Sequence, residues 1–173
     1  NYRGVSIMKA YLDVCCLCRL FDDQSQFRVR IETDAVEEIL ALCYSRFSLI
    51  SSTPIFYEIS RMNDNMECNK LGDSFTISEY IRIDEKIVSR AKELAPIGIR
   101  NLDALHIACA ERAHAVFLST DDGIINTLKR PNHSIAIKID NPVRWPLGGE
   151  RILMKVKPIE QLQYERVSEL IEN

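Results

Sequence analysis

The sequence predicts an α/β fold with a mostly parallel central sheet, on three observations. Short apolar runs such as "FSLIS" (47–51) and "AVFLST" (115–120) alternate with longer stretches of helical periodicity, the pattern of parallel strands covered by helices on both faces. Gly and Pro are sparse and hydrophobic residues make up 46% of the chain, so one well-packed core is within reach. Several acids stand where strands end, the edge at which parallel sheets gather functional groups.

At 173 residues the chain fits one domain, long enough to bury roughly two thirds of the surface its unfolded form exposes. No apolar run approaches the ~20 residues of a membrane span, and "NYRGVSIMK" lacks the apolar core of a signal peptide. The expected location is therefore the cytoplasm, with no membrane partner and with Met8 read as the natural start. The net charge of -3 argues against binding of nucleic acid through one broad basic face, so any phosphate contact must be local. Six cysteines, at 15, 16, 18, 43, 68 and 109, lie mostly in apolar, helix-like surroundings and read as small hydrophobes rather than a disulfide framework.

In chain order, "SIMKAYLD" reads as a first strand ending at Asp13, and "VCCLCRLF" as a short helix. "RVRIETDAVEEILALCYSR" is a long amphipathic helix whose apolar positions are Ile31, Ala35, Ile39 and Leu42, with Glu32, Glu37 and Glu38 opposite. After the "FSLIS" strand, Thr53 as cap and Pro54 as first helical residue open "IFYEISRMN", which places Glu58 about one turn in. "MECNKLGDSFTISEYIRID" is irregular, with "EYIRI" a short strand. "DEKIVSRAKELAPIG" is a helix closed by Pro96 and Gly98, and "NLDALHIACAERA" is another, opened by Asn101 with Asp103 in its first turn. "AVFLST" then leads into Asp121, Asp122 caps a helix over "DGIINTLKR", and "SIAIKID" is the last strand. "IEQLQYERVSEL" reads as a final helix outside the core.

Asp13, Glu58, Asp103 and Asp121 all fall where one edge of the sheet could collect them. Taken singly, an Asp after a strand is most often a cap or a turn residue, and a Glu on a helix a solvated charge. Taken together, clustered carboxylates repel, and either protonation or a divalent cation relieves them. A set of hard oxygen donors suits Mg²⁺ or Mn²⁺ better than Zn²⁺.

The runs "MKAYLDVCCLCRLF", "TPIFYEISR", "NLDALHIACAERA" and "VFLSTDDGI" resemble, in order and spacing, the acidic motifs of PIN domains, which include the VapC-like ribonuclease toxins. The resemblance spans about residues 8–140. It implies a three-layer α/β/α sandwich, with a nuclease domain over 8–140 and a C-terminal extension over 141–173 packed on the same domain. It also implies an Mg²⁺- or Mn²⁺-dependent endoribonuclease with Asp13, Glu58, Asp103 and Asp121 as catalytic acids, of which Asp13, Asp103 and Asp121 hold metal. Ser119 and Arg100 are candidate substrate contacts. RNA as substrate, an antitoxin protein as partner and a homodimer follow from the family alone. One departure stands out: a small polar residue often follows the first Asp, and Val14 and Cys15 stand there, which implies one missing hydrogen bond at the site.

Other readings compete. The Cys15–Cys18 pair has redox spacing, but a third thiol and large apolar neighbours favour helix packing. His106 shares a helix face with Asp103 and reads as a packing histidine, and His114 and His133 as surface or loop residues. Arg61 and Lys129 lie near the acidic edge as further phosphate contacts. A phosphotransfer or phosphatase site built on strand-end acids, or a PIN-like binding module without strong catalysis, are the alternatives to a nuclease.

Overall fold

The computed structural model describes residues 8–43, 47–62, 79–131 and 134–145. The irregular stretch from 66 to 78, His133 and the expected C-terminal helix lie outside the described residues. Five parallel strands form the sheet: β1 (Met8–Leu12), β2 (Phe47–Ser52), β3 (Glu79–Ile81), β4 (Val116–Leu118) and β5 (Ile139–Asp140), in the order β3-β2-β1-β4-β5. Ala10, Tyr11 and Leu12 on the central strand are buried, as are Leu49, Ile50, Phe117 and Leu118 beside them. These continuous apolar stretches are what a sheet covered on both faces requires. With its helices the sheet makes the expected three-layer α/β/α sandwich.

The helices are α1 (Val14–Cys18), α2 (Phe27–Cys43), α3 (Thr53–Ser60), α4 (Glu85–Leu94), α5 (Asn101–Ala113) and α6 (Asp122–Leu128). Asp84 caps α4 by accepting from the Ile87 amide at 2.9 Å, and a 3-10 turn (Ala95–Ile97) ends at Gly98, whose φ of +93° suits a residue without a Cβ. Phe47 packs on the Trp145 ring at 5.0 Å, so the chain just beyond β5 belongs to the same core. None of the described helices is long and apolar enough to cross a membrane.

Three local expectations are corrected. The buried stripe of α2 is Val29, Glu32, Thr33, Val36, Ile39 and Leu40, so Glu32 faces the core rather than solvent. Two arginines and an asparagine satisfy it there, which lets a charge occupy an otherwise apolar stripe. Ser52 rather than Thr53 takes the cap position of α3, and Thr53 begins the helix with its hydroxyl accepting from Tyr80 at 3.2 Å. As expected, α5 opens at Asn101 with Asp103 in its first turn, after Arg100 at the cap position without a side-chain bond. The "SIAIKID" run pairs only at Ile139–Asp140, because its partner β4 is three residues long and Ser134, Ala136 and Lys138 face solvent.

Candidate metal centre

Strand order reverses at β1 and β4, from which the chain leaves toward opposite sides of the sheet. The crevice above such a switch point is where open parallel sheets bind ligands. Asp13 follows β1 directly, held by its amide donating to the Leu118 carbonyl of β4 at 2.9 Å. Its carboxylate is fixed at both oxygens: Oδ1 accepts from the Val14 amide at 2.8 Å and so caps α1, while Oδ2 accepts from the Ser119 hydroxyl at 2.8 Å. The Cys15 thiol donates to the same Oδ2 at 3.2 Å. The bond expected to be missing after the first Asp is thus supplied by Ser119 and Cys15. Cys16 meanwhile donates to the Leu118 carbonyl at 3.2 Å, and neither thiol is bridged.

Two helices complete the inner half of the site. Glu58 lies in the second turn of α3, which Pro54 helps to start, and His106 is one turn beyond Asp103 on α5. His106 is fully buried, and its Nε2 lies 2.9 Å from Glu58 Oε2. Its Nδ1 is 2.8 Å from the Tyr11 hydroxyl, which in turn lies 2.5 Å from Ser52 Oγ. A buried chain of hydrogen bonds therefore runs from the end of β2 through β1 to Glu58. One ligand atom each from Asp13, Glu58 and His106 lie within 4.8 Å of one another, a spacing that can hold a metal ion. Two carboxylates and an imidazole are chemically suited to a divalent cation. The histidine does pack, edge-on against the Tyr11 ring at 5.9 Å, but it also belongs to the site.

Asp103 and Asp121 form the outer half. They line a cleft of about 290 Å³ with Arg100, Gly98, Gly123 and Thr127. Arg100 Nε lies 3.3 Å from Asp103 Oδ2, and its Nη2 3.9 Å from Asp121 Oδ2, from a side chain 81% exposed. Burial, and then the nearby Asp13 charge, push the Asp103 carboxyl above its usual range despite Arg100. That repulsion electrostatically links the two halves, and Ser119 links them structurally, since its fully buried oxygen also accepts from the Asp121 amide at 3.1 Å. Asp121, not Asp122, caps α6, accepting from the amides of Gly123 at 2.8 Å and Ile124 at 3.3 Å. Asp122 instead pairs with Arg28 at 3.0 Å, so the adjacent aspartates have separate cationic partners.

Ser119 is placed as a donor to Asp13 within the interior, whereas Arg100 stands at the mouth of the cleft. Arg61 lies over the Tyr57 ring at 5.5 Å, Lys129 pairs with Asp140 at 3.1 Å, and His114 ends α5 in a left-handed conformation. Tyr11 and Ser52, which hold the histidine, carry no local motif and were not foreseen. Arg28 was not foreseen either, although it pairs with Asp122 and donates to the Thr120 carbonyl at 3.0 Å, holding the turn before α6.

A five-stranded parallel sheet in this order, covered by helices and with acids at its switch point, is a doubly wound α/β/α fold. The chain superposes on a chain of VapBC2 from Rickettsia felis, bound in that structure to a DNA fragment from the promoter. The TM-score is 0.52 at 17% identity, over 78% of this chain and 98% of that one. A toxin-antitoxin complex from Klebsiella pneumoniae matches with TM-score 0.52 at 14% identity, over 77% and 97%. VapBC-1 from nontypeable Haemophilus influenzae does so with TM-score 0.52 at 15%, over 78% and 98%. At these identities the likeness is one of fold, and it bears out the resemblance to PIN domains in that respect. No family model matches the sequence, and no curated protein matches it either.

Proposed function

We propose that the protein is a divalent-metal-dependent endoribonuclease of the PIN type, the toxin half of a toxin-antitoxin pair. The observation that carries this reading is the gathering of Asp13 and Glu58 at the switch point of a PIN-like sheet, with Asp103 and Asp121 in the adjoining cleft. Asp13, Asp103 and Asp121 are the residues to hold Mg²⁺ or Mn²⁺, with Glu58 as a further ligand or the base. Such an ion supplies an acidified water and stabilises charge on a phosphate. The chain's own residues orient the site: Ser119 and Cys15 fix Asp13, Asp121 is fixed by capping α6, and His106 holds Glu58. Arg100, at the open mouth, is the group to meet an incoming phosphate. Bound cations invert the local charge, which reconciles an acidic chain with an anionic substrate.

By the same reading, residues 8–140 form the nuclease domain and 141–173 an extension packed on it, acting in the cytoplasm as a homodimer. A protein antitoxin as partner is supported by neighbours that are themselves toxin-antitoxin complexes. The test is RNA cleavage by the full chain with Mn²⁺ or Mg²⁺, and its reduction to background in Asp13→Asn and Asp103→Asn. Metal binding without cleavage of any RNA would instead favour a binding module, a reading to which Arg100's partial neutralisation of Asp103 and Asp121 lends some weight.

A further inference from the structure

We infer that His106 is itself a metal ligand: through Nε2 it joins Asp13 and Glu58 in a mixed nitrogen and oxygen centre that favours Mn²⁺ over Mg²⁺. This rests on the metal-centre reading above and adds to it a residue outside the set of acids.

The first argument is distance. Two adjacent ligands at ~2.1 Å from an octahedral ion are ~3.0 Å apart, and two opposite ones ~4.2 Å. His106 Nε2 and Glu58 Oε2 stand 2.9 Å apart, and the Asp13, Glu58 and His106 donors all fall within 4.8 Å. One ion could bind all three with little rearrangement.

The second argument is the proton. To coordinate, Nε2 must be bare and Nδ1 must carry the hydrogen, which then needs an acceptor. The Tyr11 hydroxyl lies 2.8 Å from Nδ1 and can accept, because its own proton can pass to Ser52 Oγ at 2.5 Å. In the other tautomer Nε2 donates to Glu58, Nδ1 accepts from Tyr11, and Ser52 donates to Tyr11. The buried chain therefore supports either tautomer at the imidazole and the Tyr11 hydroxyl, so that an arriving ion can reverse its polarity. Orientation of a ligating histidine through its second nitrogen is the usual arrangement around a metal.

The third argument is charge. Among the described residues no Lys or Arg pairs with Asp13 or Glu58, whereas Asp103 and Asp121 face Arg100 and Asp122 has Arg28. The inner half is where a cation is most needed. An imidazole in the donor set favours transition ions over Mg²⁺, which prefers water and carboxylate oxygen.

The experiment is pulsed electron paramagnetic resonance of Mn²⁺ bound to the full-length protein, with Mn²⁺ and Mg²⁺ affinities measured by calorimetry. Nitrogen hyperfine coupling from one imidazole is expected in the wild type and is expected to vanish in His106→Gln, with Mn²⁺ weakened about 10-fold or more and Mg²⁺ changed little. Tyr11→Phe keeps the ring and is expected to weaken Mn²⁺ by about 10-fold. Mn²⁺ bound by the wild type without nitrogen coupling would overturn the role of His106 and leave a carboxylate centre standing. Absence of any Mn²⁺ binding would overturn the centre and this inference together. Both overturning results are read on the wild type, so a variant that fails to fold does not protect the idea.

Discussion

Replacing Glu32 by Gln removes a charge that the interior of α2 is organised around. The carboxylate is 3% exposed and accepts from Arg19 Nε at 2.6 Å, Arg28 Nε at 2.9 Å and Asn141 Nδ2 at 3.2 Å. Breaking a fully buried ion pair costs about 3–5 kcal/mol, but both guanidinium groups here keep contact with solvent and glutamine retains one acceptor. Loss of the charge-assisted component should therefore cost about 2 kcal/mol, within the ~1.5–3 kcal/mol typical of hydrogen bonds to charged groups. For a chain of this size that lowers Tm by roughly 4–8 °C at pH 7. The sign with pH follows from the folded-state carboxyl. Burial works to raise it, yet the bonds from Arg19, Arg28 and Asn141 outweigh burial and hold it below its usual value. Its contribution is then fully present above the unfolded value of about 4.3 and is lost as pH falls through the lower folded value. Thermal melts of wild type and Glu32→Gln should differ most at neutral pH and converge in acid, as pH falls below the unfolded value of about 4.3. Equal Tm values at pH 7, or a gap that widens in acid, would refute the account of this network.

Two further outcomes follow from the site. Ser119→Ala deletes one of the donors that fix Asp13 while leaving the Cys15 and Val14 bonds, and should weaken Mn²⁺ binding by about 10-fold or more in calorimetry; it also leaves the Asp121 amide without its acceptor and should lower stability by about 1–3 kcal/mol. Arg100→Ala removes an exposed ion pair worth about 0.2–1 kcal/mol, so Mn²⁺ affinity should rise by up to about five-fold while affinity for single-stranded RNA, measured by fluorescence anisotropy, falls.

What the sequence made legible is what depends on local periodicity. Strands β1, β2 and β4 lie inside continuous apolar runs, and the helices begin within a residue or two of their signals. Errors fall where tertiary partners decide. Thr53 and Ser52 are both good caps by residue type, as are Asp121 and Asp122, and only the backbone conformation chooses between them. Glu32 looked like a surface charge because its compensating groups are 13 and 4 residues before it and 109 after. Tyr11 and Ser52 read simply as strand residues, since Tyr11 meets His106 across 95 positions of the chain and Ser52 across 41.

The adjacent aspartates of "STDDG" show why a doublet of like charge persists beside a metal-suited cluster. Alternate roles separate them: Asp121 directs its Oδ1 into the first amides of α6 and its Oδ2 toward Arg100, whereas Asp122 pairs with Arg28. Because Arg28 also binds buried Glu32 and the Thr120 carbonyl, the turn is anchored to the core through α2. Ser119, two residues earlier, carries that anchoring to Asp13. Displacing Arg28 therefore acts on the orientation of the first carboxylate through the Thr120–Asp121 peptide and Ser119. Among the described residues, the inner acids have no Lys or Arg partner, and on the Glu58 side the buried histidine chain takes that place.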